Sequence, residues 1–509
     1  MLFIPLDDRP CTRDFAPRLA TLVGESLERP PDALIGSFTT PGRPEALIEW
    51  LDARIDDENG AIISLDMLLL GGLVASRALD RDTDQTRRDL ETVRRILGRA
   101  RGPVDLFSIL MRVPPFCTSD RDRRFSEHLL AYSAALARAG SRPGPFTRLR
   151  LTALKKRIPA AFLARYLQTR ERNHAVNREA LAWARDGVVD FTLVGMDDSK
   201  TEGFNVTERI DLEALTAPGR SDLIPGADEV ALLLLARRAL RRRGRTLRVS
   251  VHTSPPRFGE RVTRYEDRSV AALIDAHVRV LGLQRADDER EADIALYVNG
   301  CANRQQEASL QLLGDRPSAR HRALAREIAE ATERSAVVAV ADLGYANGGD
   351  RAFLAALGDS VELTRLGAFA AWNTAGNTVG TVLGHAVLRA LQVSSGAPIS
   401  PEGEAAHQRF LLERFVDDTL YQSVVRTEIG RDLALQRLNI YALADRHAEV
   451  QERVEKRLRA VAIPFFERHF AGRLSHGMRI GNPLNLTIRL PWPRIFEVDV
   501  DARFDVATA

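Results

Sequence analysis

A repeated alternation constrains this chain more than anything else in it. Short apolar runs, each closed by polar residues, are separated by stretches with helical spacing. The runs cover residues 2–6, 61–65, 104–110, 189–196, 247–251, 292–298, 336–341 and 366–371. Runs this short and continuous read as strands buried on both faces, the habit of parallel sheets. Amphipathic stretches at 86–99, 125–138, 160–186 and 320–333 supply crossover helices. Eight such units predict an α/β chain with a TIM-like (β/α)8 barrel over residues 1–395. The alternative is an open doubly wound sheet. Residues 33–38 read as either a further strand or a loop. Residues 396–403 have a linker's composition, and 396–509 read as a C-terminal extension of mixed helical and β character.

The residues that close the runs are Asp7, Asp8 and Arg9, then Asp66, Arg112, Asp197 with Asp198, His252, Asn299, Asp342, and Trp372 with Asn373. In a barrel the carboxyl edge of the strands carries the chemistry. The expected edge is therefore an acidic, hydrogen-bonding ring with an aromatic wall, suited to the hydroxyls and apolar face of a sugar. Asp197-Asp198 is the sharpest feature, because it closes an apolar run. Other pairs, such as Asp56-Asp57 and Asp417-Asp418, sit in polar surroundings and read as surface pairs. Two adjoining carboxylates at a bend cannot both ionise freely, so one pKa is expected to rise. That splits acid and base roles between them.

Composition narrows the rest. The 72 basic and 69 acidic side chains nearly balance, which argues against the concentrated basic face of a nucleic-acid binder. The arginine-rich stretch 237–245 reads as a solvated helix end. Cys11, Cys117 and Cys301 show neither disulfide nor zinc spacing, which fits a reducing compartment. No apolar run has the length of a membrane span, and no signal-peptide pattern opens the chain. The expectation is a cytoplasmic protein with no membrane or nucleic-acid partner, acting on a small molecule or oligosaccharide, and compatible with a homo-oligomer. No phosphate loop, nucleophile elbow or His-Glu-x-x-His occurs. Gly71-Gly72 is suited to a close backbone approach, and Gly376, Gly380 and Gly384 to close helix packing.

Three segments resemble a known family: residues 4–10 (Ile-Pro-Leu-Asp-Asp-Arg-Pro), residues 64–77 (Ser-Leu-Asp-Met through Ser-Arg), and Gly195-Met-Asp-Asp. They are similar to the bacterial domain-of-unknown-function family 4127, over nearly the whole chain. The carboxylate pair after a fourth barrel strand also resembles retaining N-acetyl-β-hexosaminidases of glycoside hydrolase families 20, 84 and 123. That likeness implies that Asp197 orients the substrate's 2-acetamido group and that Asp198 is the general acid/base. The acetamide would be the nucleophile, forming an oxazoline, an exception to the usual two-carboxylate scheme. It further implies an aromatic floor and an acetamide donor among Trp372, Tyr345, Tyr297 and Asn373, and sugar-hydroxyl contacts from Asp7, Asp8, Arg9 and Asp66. N-acetyl-β-galactosaminide is expected ahead of its gluco epimer, with no cofactor and no metal. The enzymatic alternative is a metal-dependent hydrolase or isomerase using Asp7, Asp66, His252 and Asp342. The non-enzymatic alternative is a sugar-binding protein without turnover.

Overall fold

The computed structural model describes residues 1–56, 58–78, 81–115, 120–139, 144–311, 316–334 and 337–508. Cys117 and Asp57 lie outside them. All eight expected strands are present. Among the described residues they pair, with two further strands, as two five-stranded parallel sheets.

The first sheet runs in chain order: β1 (Leu2–Ile4), β2 (Ala61–Ser64), β3 (Val104–Leu110), β4 (Phe191–Met196) and β5 (Ser221–Pro225). It belongs to a compact unit made of Met1–Asp8, Leu27–Ala231 and Tyr265–Arg268. The helices used below are α1 (Leu65–Leu70), α2 (Thr83–Leu97), α3 (Asp120–Ala139), α4 (Pro145–Lys155), α5 (Ala160–Arg185) and α6 (Phe204–Glu213). Ile4, Ile63, Val104 and Leu106 from the strands pack with Leu68, Val93, Ala180 and Trp183 from the helices in one buried cluster. Apolar side chains on successive strand residues therefore find partners on both faces, which is why the strands lack polar alternation. Strand β5 escaped the sequence reading because its apolar stretch is only Leu223-Ile224 before Pro225 and Gly226. Pairing with β4 from Thr192↔Ser221 to Gly195↔Ile224 makes it a strand despite its composition. Residues 33–38 form no strand of this sheet; the first three lie in a one-turn helix, Asp32–Ile35.

The second unit comprises Arg9–Ser26, Leu232–Arg264 and Ser269–Ala509. Its sheet runs β10-β9-β8-β6-β7, where β6 is Arg248–Ser254, β7 Gln284–Arg285, β8 Ile294–Gly300, β9 Val337–Leu343 and β10 Ala368–Ala370. Its helices include α7 (Val230–Arg242), α8 (Ala319–Arg334), α9 (Arg351–Ser360), α10 (Ala375–Val393), α11 (Pro401–Arg414), α12 (Arg426–Leu435) and α13 (His447–His469). A π-helix, Phe415–Val425, joins α11 to α12. Tyr297 and Val340 from the sheet share one core with Phe415, Phe466, Ile488 and Val500, so the residues after 395 complete this unit's interior. The expected helix packing by small residues is present: a Cβ on Gly384 would stand 2.8 Å from Leu232 Cγ. The pair Asp417-Asp418 is a correction. Asp418 is fully buried and Asp417 nearly so. Arg414 Nη1 reaches Asp418 at 2.7 Å and Asp417 at 3.2 Å, and the Ala371 N–H donates to Asp418 at 2.7 Å. A buried cation and a strand-end amide have replaced the water that the sequence suggested. Among the described residues, no helix is long and apolar enough to cross a membrane.

Two buried histidines link α10 and α11. His407 Nε2 faces the Leu366 carbonyl at 3.2 Å, and His385 Nε2 faces His407 Nδ1 at 3.0 Å. The carbonyl only accepts, so His407 carries its proton on Nε2 and accepts from His385 on Nδ1. Burial, with Arg389 nearby, pushes His385 down to about 3 and His407 well below its ordinary value. Unfolded histidines take up a proton near pH 6.5, whereas these stay neutral while folded. The unfolded chain therefore binds more protons below pH 6.5, and stability present above that pH is lost as pH falls. Each residue contributes a slope of about 1.4 kcal/mol per pH unit over that window. Urea unfolding of the His385→Phe variant between pH 6.5 and 4 is expected to show a shallower pH dependence than the parent chain; an unchanged slope would contradict the neutral pair.

Candidate functional site

The carboxyl edge of the first sheet gathers six of the expected residues. Strands β3 and β4 are in register at Leu110↔Met196, so Arg112 and Asp198 each stand two residues beyond the last pair. Arg112 Nη1 meets Asp198 Oδ2 at 3.0 Å, and its Nε donates to the Pro114 carbonyl at 3.0 Å. The Asp197 N–H still donates to the Leu110 carbonyl at 3.2 Å, which extends the ladder by one residue. Then the chain bends. Asp197 Oδ1 accepts the Asp198 N–H at 3.0 Å, and the Ser199 hydroxyl donates to the Asp197 carbonyl at 2.9 Å. Such side-chain-to-backbone bonds are how Asp stabilises a turn. Gly195 permits the packing behind it: a Cβ there would lie 2.7 Å from the Gly226 carbonyl oxygen.

Arg77, just past a short helix Leu73–Ser76, forms an ion pair with Asp197. Both side chains are under a tenth exposed, whereas Asp198 is 29% exposed. Burial alone would raise Asp197, but the guanidinium groups of Arg77 and Arg112 and the Asp198 N–H outweigh it and hold its pKa below the ordinary value. Asp198 moves the other way, raised by burial and then by the neighbouring Asp197 charge, with Arg112 opposing. The rise expected of one member of the pair falls on Asp198, and the lowering of Asp197 comes from the two arginines.

Asp66 lies in the first turn of α1, which Ser64 caps through the Met67 N–H. Its carboxylate is buried and accepts the Ile109 N–H at 2.8 Å, strapping α1 to β3. Burial pushes it up to about 7 against that bond and the charges of Arg77 and Arg172. Asp7 is buried and Asp8 half-buried just after β1. Gly71 and Gly72 have φ of +79° and +113°, and a Cβ on Gly72 would stand 3.3 Å from the Leu6 carbonyl oxygen. The glycine pair thus turns the chain from α1 toward Arg77 while it passes close to the Asp7 strand end. Sequence reasoning missed Arg77 as a site residue, and it missed Asp228 and Glu229, which are buried just beyond β5. A signal was present: Ile224-Pro225-Gly-Ala-Asp-Glu is like Ile4-Pro5-Leu-Asp-Asp with one more residue between the proline and the acidic pair.

The remaining expected residues belong to the second unit. Asn299 Nδ2 donates to Asp342 Oδ1 at 2.7 Å, and Asp342 also accepts the N–H groups of Gly344 and Asp350. Arg320 holds Asn299 Oδ1 at 2.9 Å. Asp342 rises to about 7 through burial and the Asp350 charge. Asn299 and Asp342 thus form an internal lattice across β8 and β9. Tyr297 departs from the aromatic floor expected of it. It lies in the core shared with α8, its ring stacks on His252 at 4.7 Å, and its hydroxyl donates to Glu289 at 2.6 Å. Trp372 is buried beside Phe496, with ring centres 6.2 Å apart, and Asn373 takes a φ of +66° while its carbonyl accepts the Asn347 N–H. Tyr345 forms a two-residue parallel pairing with Gln306–Glu307. Arg9 places its guanidinium 5.5 Å from the Trp492 ring centre. The expected ring therefore falls into two sets, one in each unit. Among the described residues no group of three or more His, Cys, Asp or Glu side chains is arranged to hold a metal ion.

A family model described as "Protein of unknown function (DUF4127)" matches residues 1–501. The chain belongs to that family. No curated protein and no solved structure matches it. Two of the three segments that carried the family likeness, 64–77 and 195–198, meet in the Arg77–Asp197 pair.

Removing Arg77 leaves a buried carboxylate without its principal counter-charge, which costs about 3–5 kcal/mol. In denaturant titrations Arg77→Gln is expected to destabilise by that order, and Arg77→Gln with Asp197→Asn to recover part of the loss. Strictly additive losses would contradict a direct pair.

Proposed function

We propose that the chain is a retaining glycoside hydrolase that releases a terminal N-acetyl-β-hexosaminide, with N-acetyl-β-galactosaminide preferred. The observation that carries this reading is the geometry of two adjoining aspartates whose pKa values move in opposite directions: Asp197, buried against Arg77, is lowered, and Asp198, more exposed and bonded to Arg112, is raised. The likeness to hexosaminidase families 20, 84 and 123 rests on these residues and their place after a strand. The chemistry needs only the carboxyl edge of a parallel sheet, so it is served alike by a closed (β/α)8 barrel and by separate sheets.

In the proposed reaction Asp197 accepts a hydrogen bond from the substrate's acetamide N–H and polarises the amide. The acetamide oxygen attacks the anomeric carbon as the bond to the leaving oxygen breaks. Asp198 gives its proton to that oxygen, and an oxazolinium ion remains, its N–H held by the charged Asp197 carboxylate. Asp198, now ionised, takes a proton from water as the water attacks the same carbon, which restores the acetamide and the original anomer. A carboxylate has four lone-pair positions, so Asp197 retains acceptor capacity beyond Arg77 and its own turn. Asp7, Asp8 and Asp66 are assigned to sugar hydroxyls or their support; Asp66, already bonded to β3, fits the supporting role.

Purified protein is expected to release nitrophenol from nitrophenyl N-acetyl-β-galactosaminide, and more slowly from the gluco epimer, unaffected by chelator. Asp198→Asn is expected to lower kcat by about 10²–10⁴-fold. Asp197→Asn is expected to cripple turnover as well. The pH–rate profile is a bell: Asp197 ionises below the ordinary carboxylate range and sets the acid limb, and Asp198 loses its proton above that range and sets the alkaline limb. Rapid cleavage of aryl glycosides lacking the 2-acetamide would refute the acetamide mechanism. Turnover lost to chelator would favour a metal-dependent hydrolase.

A further inference from the structure

Helix α4, in the first unit, buries none of its residues. Phe146 is 89% exposed and Leu149 70% exposed, far beyond what an isolated surface apolar residue needs. At helical spacing Phe146, Leu149 and Ala153 form one stripe, and Ala153 is also exposed. Leu151 and Leu154 are half-buried on the other side, where the helix packs on α3. Residues 145–157 contain Arg148, Arg150, Lys155, Lys156 and Arg157, all exposed, and no acidic residue. Carried on at the same pitch, Arg150, Lys156 and Arg157 flank the apolar stripe on its two sides.

Three occupants differ in what they require. A second copy docked through a two-fold axis would set this cationic rim against itself, and like charges across an interface are unfavourable. A protein partner needs about 800 Å² per side for a stable complex, whereas the stripe offers two large side chains. An anionic bilayer needs no shape complementarity, and it rewards each inserted apolar side chain and each cation at the headgroups separately. We propose that α4 is a membrane-surface helix: it lies on anionic lipid with Phe146 and Leu149 in the acyl boundary and the flanking cations on the phosphates. The expectation of no membrane partner rested on the lack of a spanning run, and a helix lying in the interface requires none.

The test uses the full chain with vesicles of phosphatidylcholine alone and of phosphatidylcholine with phosphatidylserine, read by co-sedimentation at low and high salt. Binding to the anionic vesicles, weakened by salt, is the expected result. Phe146→Ser with Leu149→Ser is expected to weaken it by about tenfold or more. Arg150→Glu with Lys156→Glu is expected to abolish the preference for anionic lipid. All four side chains are exposed, so thermal melting should remain that of the parent chain and exclude misfolding. No binding to anionic vesicles at low salt, or equal binding by the Phe146/Leu149 variant, would overturn the proposal. Self-association lost in that variant, without vesicle binding, would also overturn it and assign the face to a second copy.

Discussion

The ion pair between Arg77 and Asp197 is the constraint on which the first unit's carboxyl edge depends. A carboxylate this buried would ordinarily take up a proton to avoid an unpaired charge. Arg77, with Arg112 behind it, removes that option and keeps Asp197 ionised. Burial raises the pKa of Asp198, and the charge kept on Asp197 raises it further.

Elementary chain geometry brings these groups together. Parallel register sets Arg112 opposite Asp198 without any special loop, because both leave paired strands at the same level. Arg77 comes from further away, and the left-handed backbone of Gly71 and Gly72 turns the chain toward it. Asp66 uses its carboxylate on the Ile109 N–H, so a polar residue in a helix's first turn anchors that helix to β3. The second unit spends its strand-end polar groups differently. Asn299, Asp342 and Arg320 bond to one another and to the backbone, and Asp417 and Asp418 surround Arg414. Buried polar groups bonded to one another in this way rigidify a core and help to specify its packing.

Much of this was legible in the sequence, for physical reasons. Buried parallel strands are apolar at every position, so the eight longer runs stand out, and crossover helices carry their own period. Strand β5 was not legible, because two apolar residues before a proline carry no periodic signal; only its pairing with β4 makes it a strand. The Asp197-Asp198 pair was legible because it closes an apolar run. Asp417-Asp418 was misread as a surface pair, because the π-helix that buries it and the Arg414 that neutralises it are tertiary facts. Tyr297 belongs to the core through tertiary contacts, because a strand buried at every position carries no alternation to separate core from edge. The grouping of strands into two sheets, like the role of Arg77, depends on contacts that no local pattern encodes.

Titration of the two carboxylates is the most direct test of the central claim. Carbon-13 NMR of protein labelled at aspartate side chains, assigned with Asp197→Asn and Asp198→Asn, follows each group separately. The account predicts one carboxylate titrating below the ordinary aspartate value of about 3.9 and the other above it, with the upper one falling when Asp197 is replaced. Two carboxylates that titrate together near the ordinary value, each indifferent to the loss of the other, would contradict it.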